Sequence, residues 1–243
     1  MTSPFLSIVI PAHNEERRLP HTLEQIFSFL EKQTYSAEVL VVENGSADRT
    51  YTIAQEFERH HPNLRALQVE QRGKGRAVQR GMLEARGEYR FLCDADLSMP
   101  IQEVNRFLPP TLTGFDIAIG SREAPGAIRY HEPGYRHWGG RAINLLIRLL
   151  ALPGLRDTQC GFKCFRAEVA KDVFRFQTFP GISFDPETLY IARLHGYRIV
   201  ELPIPWYFDP ESRINLLDDT LALLRDLLAI RRNARRGLYD PTP

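Results

Sequence analysis

Two aspartates spaced by one residue close an apolar run in the first half of the chain. The run is Phe91-Leu92-Cys93, and Asp94 and Asp96 follow it directly. In an extended segment, residues two apart point to the same side, so a strand ending here would direct both carboxylates into one crevice. Hard oxygen ligands of this kind suit Mg²⁺ or Mn²⁺, whose shell is completed by water and phosphate oxygens. The pair predicts a metal-diphosphate site; the alternative is a solvated acidic turn.

The N-terminal half alternates short β-rich runs with helical patterns. The predicted strands are 6–10, 38–42, 65–69, 89–93 and 115–119, and the predicted helices are 19–32, 48–60 and 74–86. Successive β-α-β units predict an α/β domain with a mostly parallel central sheet flanked by helices. Ligands of such sheets lie beyond the carboxyl ends of the strands. Three polar loops, 11–16, 43–48 and 94–98, should therefore meet at one edge.

After about residue 120 the pattern changes to loops and helices. Residues 126–140 are rich in Gly, Pro, Tyr and His, and an apolar helix is predicted over 139–152. The last predicted helix, 214 to about 235, carries leucines among Asp and Arg residues and ends in arginines. Such a basic amphipathic helix can lie in a membrane interface, or pack on the core with its cationic end against the helix dipole. We expect one domain over 1–213, followed by this C-terminal amphipathic helix within 214–243.

Composition narrows the function classes. The 243 residues include 31 basic and 30 acidic side chains, a net charge of +1 that does not indicate nucleic-acid binding. Three cysteines are an odd number without the paired spacing of a structural zinc site, which predicts reduced thiols in a cytoplasmic setting. No signal-peptide pattern is visible, and the most apolar stretch, 142–152, is far shorter than the roughly 20 residues of a spanning helix. Any membrane contact is expected to be peripheral.

Several motifs together carry a resemblance to a known family. SIVIPAHNEE at 7–16, VVENGSAD at 41–48 and the Asp94-Ala95-Asp96 motif resemble family 2 glycosyltransferases of the GT-A fold. DTQCGFK at 157–163, FDPE at 184–187 and ELPIPW at 201–206 resemble the dolichyl-phosphate glucosyltransferase and mannosyltransferase branch. The resemblance covers nearly the whole chain and raises the metal interpretation of Asp94 and Asp96 well above the acidic-turn alternative.

The resemblance implies residues that bind the donor. In this family the first two loops hold the nucleotide, although many relatives carry Asp-Asp where this chain has Glu43-Asn44. Lys74 begins a helix after a glycine turn and is implied near the donor, and Arg213 stands where relatives have a lysine that touches the diphosphate. The implied donor-binding set is Pro11, His13, Asn14, Glu15, Glu43, Asn44, Lys74, Asp94 and Arg213, with Asp96 and Asp94 as metal ligands.

The resemblance also implies an acceptor site. Arg122 and Arg136 match two arginines that hold an acceptor phosphate in polyprenyl-phosphate sugar synthases, a task that suits guanidinium groups. Either arginine could instead form a surface ion pair. Gln159, Asp185 and Glu187 are candidates for the site wall. Asp185 also has a local explanation, as an N-cap followed by Pro at the first helical position.

The implied reaction is an inverting transfer of a hexose from a nucleotide diphosphate sugar to a polyprenyl or dolichyl monophosphate, with Mg²⁺ or Mn²⁺ as cofactor. Glucose from UDP-glucose is favoured, and mannose from GDP-mannose is next. Asp96, Asp94, Arg122 and Arg136 are the implied catalytic residues. One alternative is a soluble hydroxyl acceptor, with Asp185 or Glu187 as general base. A nucleotidyltransferase is less favoured because residues 11–18 lack glycine.

Overall fold

The computed structural model describes residues 3–209 and 216–241, without the side chains of 135–140, 142–143 and 216–221. The strands of the main sheet are β1 (Leu6–Ala12), β2 (Ala37–Asn44), β3 (Leu64–Val69), β4 (Tyr89–Cys93), β5 (Ile117–Ser121), β7 (Phe162–Arg166) and β8 (Ile199–Pro203), and a separate parallel ribbon pairs β6 (Ile128–Tyr130) with β9 (Pro205–Tyr207). The main sheet has the order β3-β2-β1-β4-β7-β5-β8. All of its pairings are parallel except those of β7, which runs antiparallel to both neighbours.

The helices occupy the connections between these strands. They are α1 (Leu19–Leu30), α2 (Thr50–His60), α3 (Lys74–Glu84), a 3₁₀ helix (Ile101–Phe107), α4 (Gly134–Leu150), α5 (Ala167–Arg175), α6 (Phe184–Leu194) and α7 (Leu216–Arg235). Residues of α1, α2 and the 3₁₀ helix share one hydrophobic cluster, and residues of α3 to α7 share the other. The sheet is therefore the middle layer of three.

Strand β1 shows why the sequence folds in this way. All seven of its residues are buried. Ile8 and Ile10 belong to the cluster on the α1 face, whereas Val9 belongs to the cluster on the α3 face. A strand with both faces covered is built mainly from apolar residues, which explains the run that marked it in the sequence. Its one polar side chain, Ser7, donates a hydrogen bond to Glu38 at 2.6 Å. The structure confirms the predicted α/β fold with a mostly parallel sheet, with the first-half elements displaced by only a few residues at their ends.

The main correction concerns the chain after residue 120. Residues 162–166 form β7 in the centre of the sheet, and residues 199–203 form an edge strand, although the sequence pattern predicted only loops and helices there. Lys163 lies in β7 opposite Leu92 and is 1% exposed. A lysine interrupts the apolar pattern of a buried strand. Its ion-pair partner, Asp185, lies 22 residues away in the sequence, so the sequence pattern gives no sign that Lys163 is buried.

Two helices also differ from their predicted form. Helix α4 begins at Gly134, within the stretch predicted as loop, and ends at Leu150. The C-terminal helix is described from Leu216, and Leu223, Leu227 and Ile230 on it are buried against the α3-face cluster. These side chains follow the core-packing alternative of the sequence analysis. Across the described residues, we find no helix with the length and apolar character that a membrane span requires.

Candidate functional site

Three loops meet at the carboxyl edge of β1, β2 and β4 and enclose a cavity of about 400 Å³. Its wall combines the loop after each strand with the start of α3 and the segment that precedes α6. The lining residues are Pro11, His13, Glu15, Arg18, Asn44, Arg72, Gly73, Lys74, Asp94, Ala95, Asp96, Gly181 and Ile182. The convergence predicted from the strand order is confirmed.

Asn44 joins the three chain segments on one side of this cavity. Its Nδ2 donates to the Ala12 carbonyl (3.0 Å), and its Oδ1 accepts from the backbone N–H of Gly73 (3.1 Å). Its own carbonyl lies 2.9 Å from Nδ1 of His13. An amide side chain suits this place because it offers a donor and an acceptor at once. Asn44 therefore fixes the loop after β1 and the start of α3 relative to β2.

Two predicted donor-binding residues lie behind the cavity wall. Glu43 is 1% exposed and accepts hydrogen bonds from Gln68 Nε2 (3.0 Å) and from the backbone N–H of Ser46. Asn14 adopts a left-handed conformation, φ 53°, and its Oδ1 accepts from Ala47 N–H (2.8 Å). In these positions both side chains shape the loops that carry Pro11, His13 and Glu15.

The two aspartates reach the cavity by a turn rather than by strand alternation. Strand β4 ends at Cys93, and the N–H of Leu97 then donates to the Asp94 carbonyl (3.3 Å). Leu97 has φ 45°, a conformation that is unusual for a bulky residue and that concentrates at functional turns. The expectation that an extended segment would align the carboxylates was therefore wrong, although both residues do line one cavity.

Asp96 lies at the open side of the cavity. One carboxylate oxygen accepts from the Ser98 backbone N–H at 2.9 Å. Partial loss of hydration in the cavity, followed by the negative charge of Asp94, raises the pKa of Asp96 above its ordinary value. Both effects disfavour the ionised form and would be relieved by a cation.

Lys74, the first residue of α3, pairs with Asp94 across the cavity floor. Its Nζ lies 2.7 Å from Oδ1 of Asp94. Burial alone would lower the pKa of Lys74, but the charges of Asp94 and Asp185 outweigh it and raise that pKa. Below this pair, Asp185 forms a buried ion pair with Lys163, whose Nζ also donates to the Cys160 carbonyl (2.7 Å). Two lysines thus balance the carboxylates on this side of the sheet.

The carboxylate oxygens at this cavity suit a divalent cation that also contacts a phosphate group. Asp94 and Asp96 supply hard oxygen ligands at the cavity wall. No group of three or more His, Cys, Asp or Glu side chains with metal-binding geometry occurs within 3–209 and 216–241 where side chains are described. A protein contribution of two carboxylates leaves the remaining positions to water and phosphate oxygens, as is usual for Mg²⁺.

Gly161 leaves the space that the Asp94 carboxylate occupies. It precedes β7, whose first residue pairs with Cys93. A Cβ atom added at Gly161 would lie 1.9 Å from Oδ2 of Asp94, far inside van der Waals contact. The absence of a side chain at this position is therefore a condition for the observed placement of Asp94.

Arg122 follows β5 and forms a bidentate ion pair with the fully buried Asp157. Nε and Nη2 of Arg122 donate to the two carboxylate oxygens at 2.7 and 2.9 Å. Glu201 on β8 accepts the backbone N–H groups of Arg156 and Asp157, which holds the loop in place. The Arg122 guanidinium also lies 5.5 Å from the centroid of the Trp206 ring. Arg122 does not belong to the cavity lining described above.

The remaining acceptor-site candidates are dispersed. The backbone N–H of Gln159 donates to Asp157 Oδ1 (3.3 Å), and Glu187 is buried beneath the segment before α6. Asp185 is the second residue of α6, after the N-cap Ser183, so its interpretation as the N-cap was wrong. Arg136 lies in α4, with its side chain outside the described set, and Arg213 lies outside the described residues.

Comparison with known proteins gives the family. The sequence model of "Glycosyl transferase family 2" matches residues 7–174. The chain belongs to glycosyl transferase family 2. Human dolichyl-phosphate beta-glucosyltransferase is 33% identical over 96% of this chain and 77% of its own length. A Trichomonas vaginalis protein, dolichyl-phosphate beta-glucosyltransferase ALG5A, is 36% identical over 98% of this chain and 76% of its own.

Solved structures agree with this assignment at the level of the fold. Glucosyl-3-phosphoglycerate synthase from Mycobacterium tuberculosis, in complex with Mn²⁺, UDP-glucose and phosphoglyceric acid, aligns with a TM-score of 0.65 and 20% identity. The alignment covers 96% of this family 2 glycosyltransferase and 80% of the synthase. The family and GT-A fold predicted from the sequence motifs are therefore confirmed.

Sequence reasoning missed several residues that line the cavity. Arg18, Arg72, Gly181 and Ile182 line the cavity without having been predicted. Arg72 belongs to the same Arg-Gly-Lys-Gly-Arg run as Lys74, so a signal was present in the motif. Gly181 and Ile182 gave no such signal, because their place in the wall depends on how the segment before α6 packs on α3.

We expect Gly161→Ala to weaken metal-dependent nucleotide binding at least tenfold. The added methyl group cannot coexist with the Asp94 carboxylate in its observed position, so Asp94 must move away from Lys74 and Asp96. Calorimetric titration with Mn²⁺ and UDP measures the change. Gly134→Ala is the matched control, since Gly134 lies outside the cavity lining and a Cβ there meets no atom within 4 Å. Equal effects of the two substitutions would contradict this account of Gly161.

We expect Asp157→Asn to lower the free energy of unfolding by about 3 kcal/mol at pH 7, because it leaves the Arg122 charge without its partner. Burial opposes ionisation of Asp157, but the charge and hydrogen bonds of Arg122 prevail and hold its pKa below the ordinary value. The stabilisation is therefore present above the unfolded-state pKa of about 3.9 and disappears as pH falls through the lower folded-state pKa. The difference between wild type and variant should narrow below about pH 4.

Urea denaturation across the pH range measures this dependence. Asp116→Asn is the control, because the partly exposed Asp116 accepts one backbone hydrogen bond from Arg198 (2.8 Å). It should cost about 1 kcal/mol or less. A pH-independent loss for Asp157→Asn would show that packing, and not the ion pair, provides the stabilisation.

Proposed function

We propose that this glycosyltransferase transfers glucose from UDP-glucose to a dolichyl or related polyprenyl phosphate, using Mg²⁺ or Mn²⁺. Curated relatives named dolichyl-phosphate beta-glucosyltransferase, 29–36% identical over at least 93% of this chain, support the acceptor and the sugar. The structural relative bound to Mn²⁺ and UDP-glucose supports the donor and the cation. The observation that carries the proposal is the grouping of Asp94, Asp96 and Lys74 at one cavity.

The donor side follows from the charges of that cavity. A divalent cation held by Asp94 and Asp96 would stabilise the negative charge that develops on the departing nucleoside diphosphate. Lys74 Nζ lies against Asp94 at the same cavity. Its fixed positive charge would also favour the oxygens of the diphosphate. Pro11, His13, Glu15 and Asn44 form the part of the wall where the nucleotide would lie.

The acceptor side favours a phosphate over a neutral hydroxyl. A phosphomonoester has its second pKa near ~6 and is largely anionic at neutral pH, so attack needs no general base. A hydroxyl acceptor would need a general base, and the two carboxylates considered for that role, Asp185 and Glu187, already have partners within the protein. Asp185 pairs with Lys163, and Glu187 accepts hydrogen bonds from Thr178, Phe179 and Tyr239. The catalytic contribution of the protein is then positioning and charge stabilisation.

Arg122 is the proposed holder of the acceptor phosphate, together with Arg136 of α4. The pair with Asp157 uses Nε and Nη2 of Arg122 and so fixes the plane of its guanidinium group. A guanidinium with a fixed plane can present its remaining N–H groups to phosphate oxygens in one orientation. In this proposal Asp157 orients Arg122 and does not itself contact the substrate.

Helix α4 presents a surface suited to the membrane that would carry a lipid acceptor. Arg141, Leu145, Arg148 and Leu149 are exposed on this helix at spacings of four, three and one residues, which places them on one face. Leu145 is 52% and Leu149 72% exposed. Leucines flanked by arginines favour an interface with anionic lipids. We therefore propose peripheral association through this surface, at the cytoplasmic face expected from the sequence.

Turnover assays with paired donors and acceptors test the proposed reaction. We expect release of UDP from UDP-glucose only when a short polyprenyl phosphate and a divalent cation are both present, and a much lower rate with GDP-mannose or with the dephosphorylated polyprenol. Asp96→Asn should reduce the rate at least a hundredfold, whereas Asp116→Asn, at the opposite edge of the sheet, should not. Equal rates with polyprenol and polyprenyl phosphate would contradict the phosphate acceptor.

Vesicle sedimentation tests the membrane surface. Replacing Leu145 and Leu149 together with serine should weaken binding to vesicles containing phosphatidylserine about tenfold or more, because each leucine contributes about 1.5–3 kcal/mol when fully buried. The control replaces the exposed Leu83 and Leu194, on α3 and α6, with serine. If both double variants bind alike, the α4 surface is not the one that contacts lipid.

A further inference from the structure

The C-terminal segment, residues 236–241 after α7, carries a buried tyrosine. Tyr239 is 0% exposed although the residues on both sides of it, Leu238 and Asp240, are exposed. Nε2 of His195 donates to the Tyr239 carbonyl at 2.6 Å, and Asn233 Nδ2 donates to the Tyr239 hydroxyl at 3.2 Å. That hydroxyl in turn donates to Oε1 of Glu187 at 2.8 Å. The tyrosine thus links the tail to a buried carboxylate on α6.

Glu187 is the centre of a network composed of donors. Besides Tyr239, it accepts the backbone N–H and the hydroxyl of Thr178 (2.9 and 2.6 Å) and the backbone N–H of Phe179 (2.9 Å). The two backbone N–H groups can only donate and so favour the ionised carboxylate, although burial raises the pKa of Glu187 above its ordinary value. A buried carboxylate depends on such partners. Glu187 therefore holds the segment from Thr178 onward in one position.

That segment packs directly on the start of α3. A Cβ at Gly75 would lie 2.5 Å from the Phe179 carbonyl oxygen, and one at Gly73 would lie 2.5 Å from that of Pro180. A hydrogen bond also joins the two segments, since the Arg76 N–H donates to the Pro180 carbonyl at 3.3 Å. Two backbones in such close contact cannot move independently. The segment continues into Gly181 and Ile182, which line the cavity beside Gly73 and Lys74.

We propose that Glu187 and Tyr239 are positioning residues for the donor site. They fix the segment 178–182, this segment fixes the start of α3, and α3 places Lys74 against Asp94. The inference rests on the proposed function in that the affected ligand is the diphosphate sugar. It assigns Glu187 a task different from the general-base role considered for a hydroxyl acceptor, and it gives the C-terminal segment a part in donor binding.

A general loss of stability is the competing explanation, and the chain offers a matched control for it. Tyr197 donates its hydroxyl to Asp172 Oδ2 at 2.9 Å, and the same carboxylate contacts Nδ1 of His195. Tyr197→Phe and Tyr239→Phe each remove one tyrosine hydroxyl that donates to a carboxylate, and His195 belongs to both neighbourhoods. Only the Tyr239 hydroxyl reaches Glu187 and the segment that packs on α3.

The experiment compares these two variants with wild type by two measurements. Hydrogen exchange of the full chain without ligand reports the protection of amides in 73–77 and 178–182. Calorimetry with UDP-glucose and Mn²⁺ reports donor affinity. For Tyr239→Phe we expect faster exchange in both segments and a dissociation constant raised roughly three- to tenfold, the range that one net hydrogen bond gives. For Tyr197→Phe we expect unchanged exchange in both segments and unchanged affinity.

The outcomes separate the inference from the function beneath it. Unchanged exchange at 73–77 in Tyr239→Phe would overturn the coupling, as would equal changes in the two variants. A wild-type protein that binds no UDP-glucose would refute the proposed donor, while the exchange measurement would still decide the coupling. Glu187→Met adds a second test, since it removes both oxygens that accept the N–H groups of Thr178 and Phe179. It should increase exchange in 178–182 more than Tyr239→Phe does.

Discussion

Repulsion between carboxylates is the constraint around which the site is arranged. Asp94, Asp96 and Asp185 lie on the same side of the sheet, and two unit charges 4 Å apart repel by about 4 kcal/mol at an effective dielectric constant of 20. Lys74 and Lys163 compensate this charge through ion pairs with Asp94 and Asp185. Asp96 accepts the backbone N–H of Ser98, but burial and the charge of Asp94 raise its pKa above the ordinary value. The carboxylate of Asp96 therefore carries the charge that a divalent cation would balance.

The two lysines depend in turn on distant parts of the chain. Lys163 is buried in β7, which must run antiparallel between β4 and β5 to bring it over α6. Lys74 depends on the contact between the start of α3 and the segment before α6. The arrangement of charge is thus a product of the sheet order as much as of local sequence.

The sequence contained enough information to predict the first half of this structure. Strands such as β1 and β2 are buried on both faces and consist mainly of apolar residues, and the intervening helices have a clear period. The loops that follow them necessarily meet, so the cavity and its residues from Pro11 to Asp96 were largely predictable. The strand β7 was not, because Lys163 reads as a surface residue until its ion pair is known.

The roles of individual residues were harder to predict than their position in motifs. Glu43 and Asn14 belong to loops that were predicted to bind the nucleotide, yet both side chains accept hydrogen bonds from the loop backbone. Glu187 was predicted to belong to the site wall and was considered as a general base. In the structure its carboxylate accepts hydrogen bonds from Thr178, Phe179 and Tyr239. These differences arise from which neighbour supplies the donors, and that depends on tertiary packing. A motif identifies the segment, whereas the direction of each side chain is decided by contacts across the fold.

Because β7 runs antiparallel to its neighbours, the segments before and after it differ in how well they can tolerate insertions. Its first residue pairs with Cys93, so the preceding loop lies against Asp94, whereas its last residue pairs with Tyr89 at the opposite edge of the sheet. An insertion before Phe162 would displace Gly161 and the loop that carries Asp157. An insertion between Arg166 and α5, which begins at Ala167, would lie at the edge of the sheet remote from the cavity. Homologues should therefore differ in length on the α5 side of this strand while keeping the loop on its other side constant.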